Sequence, residues 1–225
     1  MKFYLSSKQN FLVELLILAV SMAFSVLLSM VRVYFSHSIM YFFLNWNLLL
    51  AFIPYVVALM LPDTSASSKR YGLVLLGVWL LFFPNTFYII TDLFHLRHVR
   101  SVPLWFDTLL IVSYAWNGIV LGCLSLRRVQ VYLRIVYGEL LAFMGTIAFL
   151  MLASFGIYLG RYQRWNSWDI IAQPVGLFWE IFQMLRHPFH HLSIWMMICL
   201  IGTFLCLCYF TFLTVAKVGS SRIER

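Results

Sequence analysis

The stretch L-L-F-F-P-N-T-F-Y-I-I-T-D-L-F-H-L, residues Leu80 to Leu96, decides what kind of molecule this is. An apolar run carries a Pro-Asn pair at Pro84 and Asn85, then Thr91, Asp92 and His95 at helical spacing. In hydrocarbon, polar side chains and interrupted backbone are unfavourable, so such groups have partners or a job. The reading turns on whether the flanking sequence belongs in a bilayer.

The composition says that it does. The 225 residues are 63% hydrophobic and 11% charged, against roughly 25% charged in a soluble domain. Six apolar runs fall at about 11–31, 39–61, 71–90, 104–124, 136–158 and 189–215. Each is long enough to cross a bilayer, which needs roughly 20 residues. The expected fold is all-α: a polytopic membrane protein with about six transmembrane helices and one interfacial helix, forming one integral membrane domain over residues 1–225. The first run exceeds the length of a signal-peptide core. Arg32-Val33-Tyr34-Phe35 follows it rather than a small-residue cleavage site, so it reads as an uncleaved span.

The formal net charge is +8, yet nucleic acid is not the expected partner. The basic residues are scattered through every connection between spans, which suits anionic headgroups of the lipid bilayer. With the N-terminus inside, the inner segments hold ten Lys and Arg and the outer segments six. The positive-inside rule then places both termini in the cytoplasm of a multi-pass cell-membrane protein. All six histidines, with Asp92, Asp107, Asp169 and Glu180, then gather on the outer side. Cys123, Cys199, Cys206 and Cys208 lie inside spans and read as apolar packing, not as a disulfide framework.

The longest connection, about 159–188, has its own organisation. Asn166 followed by Asp169 fits a helix N-cap with an acidic third residue. Beyond Pro174 and Gly176, Glu180, Gln183 and His187 form a polar stripe, and Phe178, Ile181, Phe182 and Leu185 the opposite face. This pattern predicts a helix lying in the interface, with Trp165, Trp168 and Trp179 as belt residues. Gly118 with Gly122, and Gly156 with Gly160, have the spacing that lets helix backbones approach closely.

Several constellations carry polar chemistry. Asp92 and His95 share a helix face, and Thr91, His95 and His98 form a second stripe. One reading is a metal or acid–base site, joined by Asp107 and Asp169, because carboxylate and imidazole are proper ligands. The other is a helix end whose polar groups face water, with a local Asp92–His95 hydrogen bond. Asn85 either satisfies a carbonyl freed by Pro84 or binds a ligand. Arg161 and Arg164 either clamp a phosphate or carboxylate or meet lipid headgroups. Asn45, Asn47 and Asn117 suit interhelical bonds worth about 1 kcal/mol or less each.

Two stretches carry a family resemblance. F-P-N-T-F-Y-I-I-T-D-L-F-H-L at 83–96 and Y-L-G-R-Y-Q-R-W-N-S-W-D at 158–169 resemble a family of bacterial integral membrane proteins, domain of unknown function 1361. P-L-W-F-D at 103–107 and the stretch from Asn117-Gly118 to Ser125 are similar too, so the resemblance covers nearly the whole chain. The chain departs from that pattern at Thr86-Phe87 and Phe106. The resemblance implies a bacterial envelope membrane protein and supplies no activity.

The functional expectation is an outward-facing pocket that binds or processes a polar or anionic envelope molecule, lipid-linked molecules included. Asp92, His95 and Asp107 are the candidate catalytic or ligating groups, and Asn85, Arg161, Arg164 and Asp169 the candidate substrate contacts. Neither a metal, a cofactor nor an oligomeric state follows from the residues. Two alternatives stand: a proton-coupled transporter using Asn117, Glu139 and Glu14, and a non-catalytic scaffold recruiting partners through Phe178 and Phe182.

Overall fold

The computed structural model describes residues 2–62, 69–96 and 102–223. Its elements are all helical: α1 (Lys2–Ser36), α2 (Phe43–Leu59), α3 (Lys69–Phe82), α4 (Pro84–Tyr88), a 3-10 segment (Ile89–His95), α5 (Leu104–Tyr137), α6 (Glu139–Arg161), α7 (Asp169–Ala172), α8 (Pro174–Arg186), a 3-10 turn (Pro188–His191) and α9 (Leu192–Ile223). The chain is an integral membrane protein by these helices. Among the described residues five stretches are long and apolar enough to span: Gln9–Ser36, Lys69–His95, Leu104–Tyr137, Glu139–Arg161 and Leu192–Val218. The sixth expected span is α2, which has 17 residues. At 1.5 Å per residue that is about 25 Å, slightly less than a hydrocarbon core of about 30 Å.

Five of the six spans run past their expected C-terminal ends, α2 being the exception. The third run does not stop at residue 90: its helix is interrupted at Phe83 and resumes from Pro84 to His95. The fourth continues past residue 124 to Tyr137, so Arg127, Arg128 and Arg134 ride on a long helix rather than in a loop. Gly138, at φ 90°, then turns the chain directly into α6, a conformation that suits glycine.

Polar contacts fix the packing direction of successive helices. At one end Tyr55 of α2 donates to Glu14 of α1 at 2.6 Å, and Arg128 of α5 reaches the same carboxylate. At the other end Arg32 of α1 pairs with Asp107 of α5, and Arg161 of α6 with Asp92. The second of these, here called the distal end, carries the polar groups expected to form a site.

The break at Pro84 is built by side chains. Proline fits the first turn of a helix, where its missing N–H costs nothing, but it interrupts α3. The carbonyls around the break are satisfied instead by hydroxyls and an amide. Thr86 Oγ1 donates to the Phe83 carbonyl at 2.8 Å, Asn85 Nδ2 to Phe82 at 3.0 Å, and Ser167 Oγ to Leu81 at 3.1 Å.

Both glycine pairs serve this short α4. A Cβ on Gly118 would lie 2.2 Å from the Thr86 carbonyl oxygen, and one on Gly122 2.7 Å from Thr86 Oγ1. A Cβ on Gly156 would lie 2.6 Å from Pro84, and one on Gly160 3.1 Å from the Tyr88 ring. Two helices therefore clamp α4, α5 reaching its backbone at Gly118 and α6 closing on the Pro84 and Tyr88 rings, the close packing that such spacing predicts. This clamp holds Thr91 and Asp92 at a fixed height in the bundle.

Candidate functional site

Asp92 lies one turn beyond the clamped helix and is 1% exposed. Its Oδ2 accepts from Asn47 Nδ2 of α2 at 2.8 Å, and its Oδ1 from Arg161 Nη2 at 2.5 Å. Arg161 sits in the last turn of α6, where a cation complements the helix C-terminus. Its guanidinium lies over the Tyr88 ring, 4.4 Å from the centroid, a cation–π arrangement that Gly160 makes room for.

Thr91 completes the cage. Its Oγ1 donates to the Tyr88 carbonyl at 2.6 Å and accepts from Arg161 Nε at 2.9 Å and Nη2 at 2.6 Å. A hydroxyl has one donor and two acceptor positions, so all three are used. His95 Nε2 meets Arg161 Nη1 at 2.7 Å. Arginine only donates, so Nε2 accepts and the ring proton sits on Nδ1. His95 is exposed, unlike Asp92. Arg161 has five N–H groups. Four are spent on Thr91, Asp92 and His95, which leaves one on Nη1.

A cavity of about 430 Å³ adjoins this cluster. Asn47 and Tyr88 belong to both: they line the cavity and contact the Asp92–Arg161 pair. Asn85, Asn166 and Ser167 also line it, with Gly77, Leu81, Leu152, Gly156 and Ile181 among the apolar walls. Trp165 and Trp168 contribute to the lining. Trp165 Nε1 donates to Glu180 of α8, and Trp168 meets Trp46 of α2 edge to face. The volume falls within the range of about 300–1,000 Å³ usual for small-molecule sites.

The expected site residues thus separate into groups. Asp92, His95 and Arg161 come together. Asn85 lines the cavity and donates to Ser167 Oγ at 3.0 Å, so it both satisfies the break and ties down the following loop. Asp169 is the first residue of α7 and accepts from the Asn166 backbone N–H at 2.6 Å; the N-cap is Trp168 rather than the expected Asn166, because the helix starts two residues later and Asn166 sits in the preceding turn. Asp107 lies apart, fully buried against Arg32 with contacts at 2.7 and 3.3 Å. Arg164 is exposed, at φ 63°, with no hydrogen bond or ion pair among the described residues. His98 lies outside the described residues.

No three His, Cys, Asp or Glu side chains gather among the described residues. The local Asp92–His95 hydrogen bond is replaced by a bridge: Arg161 contacts both. On α8, Glu180 reaches inward to Trp165, with Leu177 and Met184 buried beside it, while Val175, Phe178, Trp179 and Phe182 are exposed. Of the residues named for a transport path, Asn117 donates to Ser21 and Ser25 of α1, and Glu139 pairs with Arg134.

Residue-by-residue reading overlooked Arg32, Tyr41 and Tyr88. The signal for Arg32 was present: Ser25, Ser29, Arg32 and Ser36 recur every three or four residues on one face of α1. Tyr41 connects the two ion pairs, with its ring under Arg32 and its hydroxyl donating to the His95 carbonyl at 3.0 Å.

No curated protein and no solved structure matches the chain. A family model does match, over residues 46–208, which takes in Asn47, Asp92, Asp107 and Arg161 and leaves α1 outside. The chain belongs to the family described as protein of unknown function (DUF1361).

Proposed function

We propose that the distal cluster of Asp92, Arg161 and His95 is a binding site for a polar or anionic molecule of the cell envelope. One observation carries this reading. Among the described residues two donors remain unspent at the cluster, the last Arg161 Nη1 hydrogen and the Nδ1 hydrogen of the exposed His95, and both belong to a framework fixed from four helical elements. A pair of oriented N–H donors suits a phosphate or carboxylate oxygen. Asp92 is too enclosed to meet a ligand itself, so its role is to orient Arg161. His95 is the titratable group with an accessible nitrogen, and it would serve as the acid or base of any reaction. Asp107 acts as a brace with Arg32. The excess of basic residues in the segments on the same side as the termini supports a cytoplasmic position for both, with the site facing outward.

The test is thermal unfolding of the wild type in an amphipol, with added inorganic phosphate or glycerol phosphate. A ligand at about 100 times its Kd stabilises by about 2.7 kcal/mol. The shift should be present in the wild type and lost in His95→Gln, a variant of an exposed side chain. An equal shift in both proteins would refute the site.

A further inference from the structure

The same site takes a ligand of a narrower class. We infer that its ligand is an amphiphile drawn from the bilayer, with the hydrocarbon chain in the cavity and the anionic head at Arg161 and His95. This inference rests on the binding reading above and adds the chain.

The cavity has a polar end and an apolar end. Asn47 donates to Asp92, while Asn85 and Ser167 are bonded to each other and to the Phe82 and Leu81 carbonyls at the break in the helix. From Asn85 back to Gly77, and from Gly160 back to Leu152, the walls descend eight residues along two helices. At 1.5 Å per residue this is about 12 Å into the span. The walls over that depth are Gly77, Leu80, Leu81, Leu152, Phe155 and Gly156. Those side chains are apolar and the Leu81 carbonyl is already taken by Ser167, and a lipid chain is the ordinary solvent at that depth.

Two residues of the wall are also exposed on the outside of the bundle. Trp46 and Leu152 line the cavity and are 53% and 47% exposed. Both stand on membrane-embedded helices, so the exposed side faces the bilayer. Indole rings suit this boundary between chain and head. Opposite them, Leu177 and Ile181 of α8 close the wall, and the Trp165–Glu180 bond fixes α8 there. Arg161 and His95 are not themselves in the lining; a chain entering sideways would leave its head at the Tyr88 and Gly160 end of the wall, next to the guanidinium that lies over the Tyr88 ring.

Gly77 gives a means of filling the cavity without disturbing the fold. It lines the space, and a Cβ there meets no atom within 4 Å. The experiment measures binding of a series of alkyl phosphates, from butyl to dodecyl, to the protein in an amphipol. Inorganic phosphate serves as the chain-free reference. Wild-type affinity should rise with chain length, by up to about 4-fold per methylene while the chain remains inside the cavity. In Gly77→Phe that gain should flatten while inorganic phosphate binds as before. Leu81→Trp is the second variant and should behave likewise, which guards against a folding defect in either. If chain length brings no gain, or if both variants keep the full gain, the chain site is wrong although the head site stands. If inorganic phosphate binds neither wild type nor variant and His95→Gln leaves alkyl phosphate affinity unchanged, the head site is wrong and the inference falls with it.

Discussion

Arg161 of α6 and Asp92 of the 3-10 segment lie 2.5 Å apart, and the pair ties α6 to the segment that continues the glycine-clamped α4. The carboxylate is 1% exposed and the guanidinium 11%. A charge in that setting is stable only while its partner remains.

Asp92→Asn should therefore lower stability by about 2–4 kcal/mol, because it strands a guanidinium largely out of water. Thermal unfolding of the purified protein measures this. Adding Arg161→Gln to Asp92→Asn should recover part of the loss, the mark of a coupled pair. Strict additivity of the two losses would mean that the pair is not coupled.

The Arg32–Asp107 pair should behave as a brace. Asp107→Asn should cost about 3–5 kcal/mol, since both side chains are buried. Phosphate binding at His95 should survive this change when measured well below the melting temperature. Loss of binding with an unaltered melting temperature would instead place Asp107 at the site.

The glycines should separate by what surrounds them. Gly118→Ala puts a methyl against the Thr86 backbone and should destabilise by about 3 kcal/mol, near the upper range for overpacking. Gly77→Ala meets open space and should stabilise α3 by about 0.5–1 kcal/mol through helix propensity. Unfolding curves for the two variants that coincide would contradict the clamp.

The loop after α6 is held through Ser167, which accepts from Asn85 and donates to the Leu81 carbonyl. Ser167→Ala should cost about 1–2 kcal/mol of local stability. The expected readout is faster amide exchange at residues 163–168, with α5 unchanged. Equal exchange in both proteins would show that the loop is held by other contacts.

Much of this architecture was legible in the chain. Apolar runs long enough to cross a membrane are a strong signal, and the two glycine spacings announced close packing. The Pro84-Asn85 pair marks the interruption between α3 and α4, where Asn85 bonds the Phe82 carbonyl. What could not be read was which polar groups meet. Asp92 and Asp107 look alike in sequence, each an acid at a helix end, yet one is joined to Arg161 and the other to Arg32. Those partners lie 69 and 75 residues away, and spacing along a helix says nothing about contacts between helices. Arg164, next to the same loop motif, seemed equivalent to Arg161. The left-handed backbone at Arg164 and its exposed side chain separate the two. The cavity was invisible for a related reason: its walls come from α2, α3, α4, α6, α7 and α8, and no single stretch encodes it.

The most direct test of a ligand site at the Arg161 end of the cavity is native mass spectrometry of the protein released from its own membrane in mild detergent. Wild type should retain an anionic amphiphile as a discrete added mass. Gly77→Phe and Arg161→Gln should lose it, and Asp107→Asn should keep it when folded. No added mass on the wild type, or the same mass on all four proteins, would contradict a site built from that cavity and that arginine.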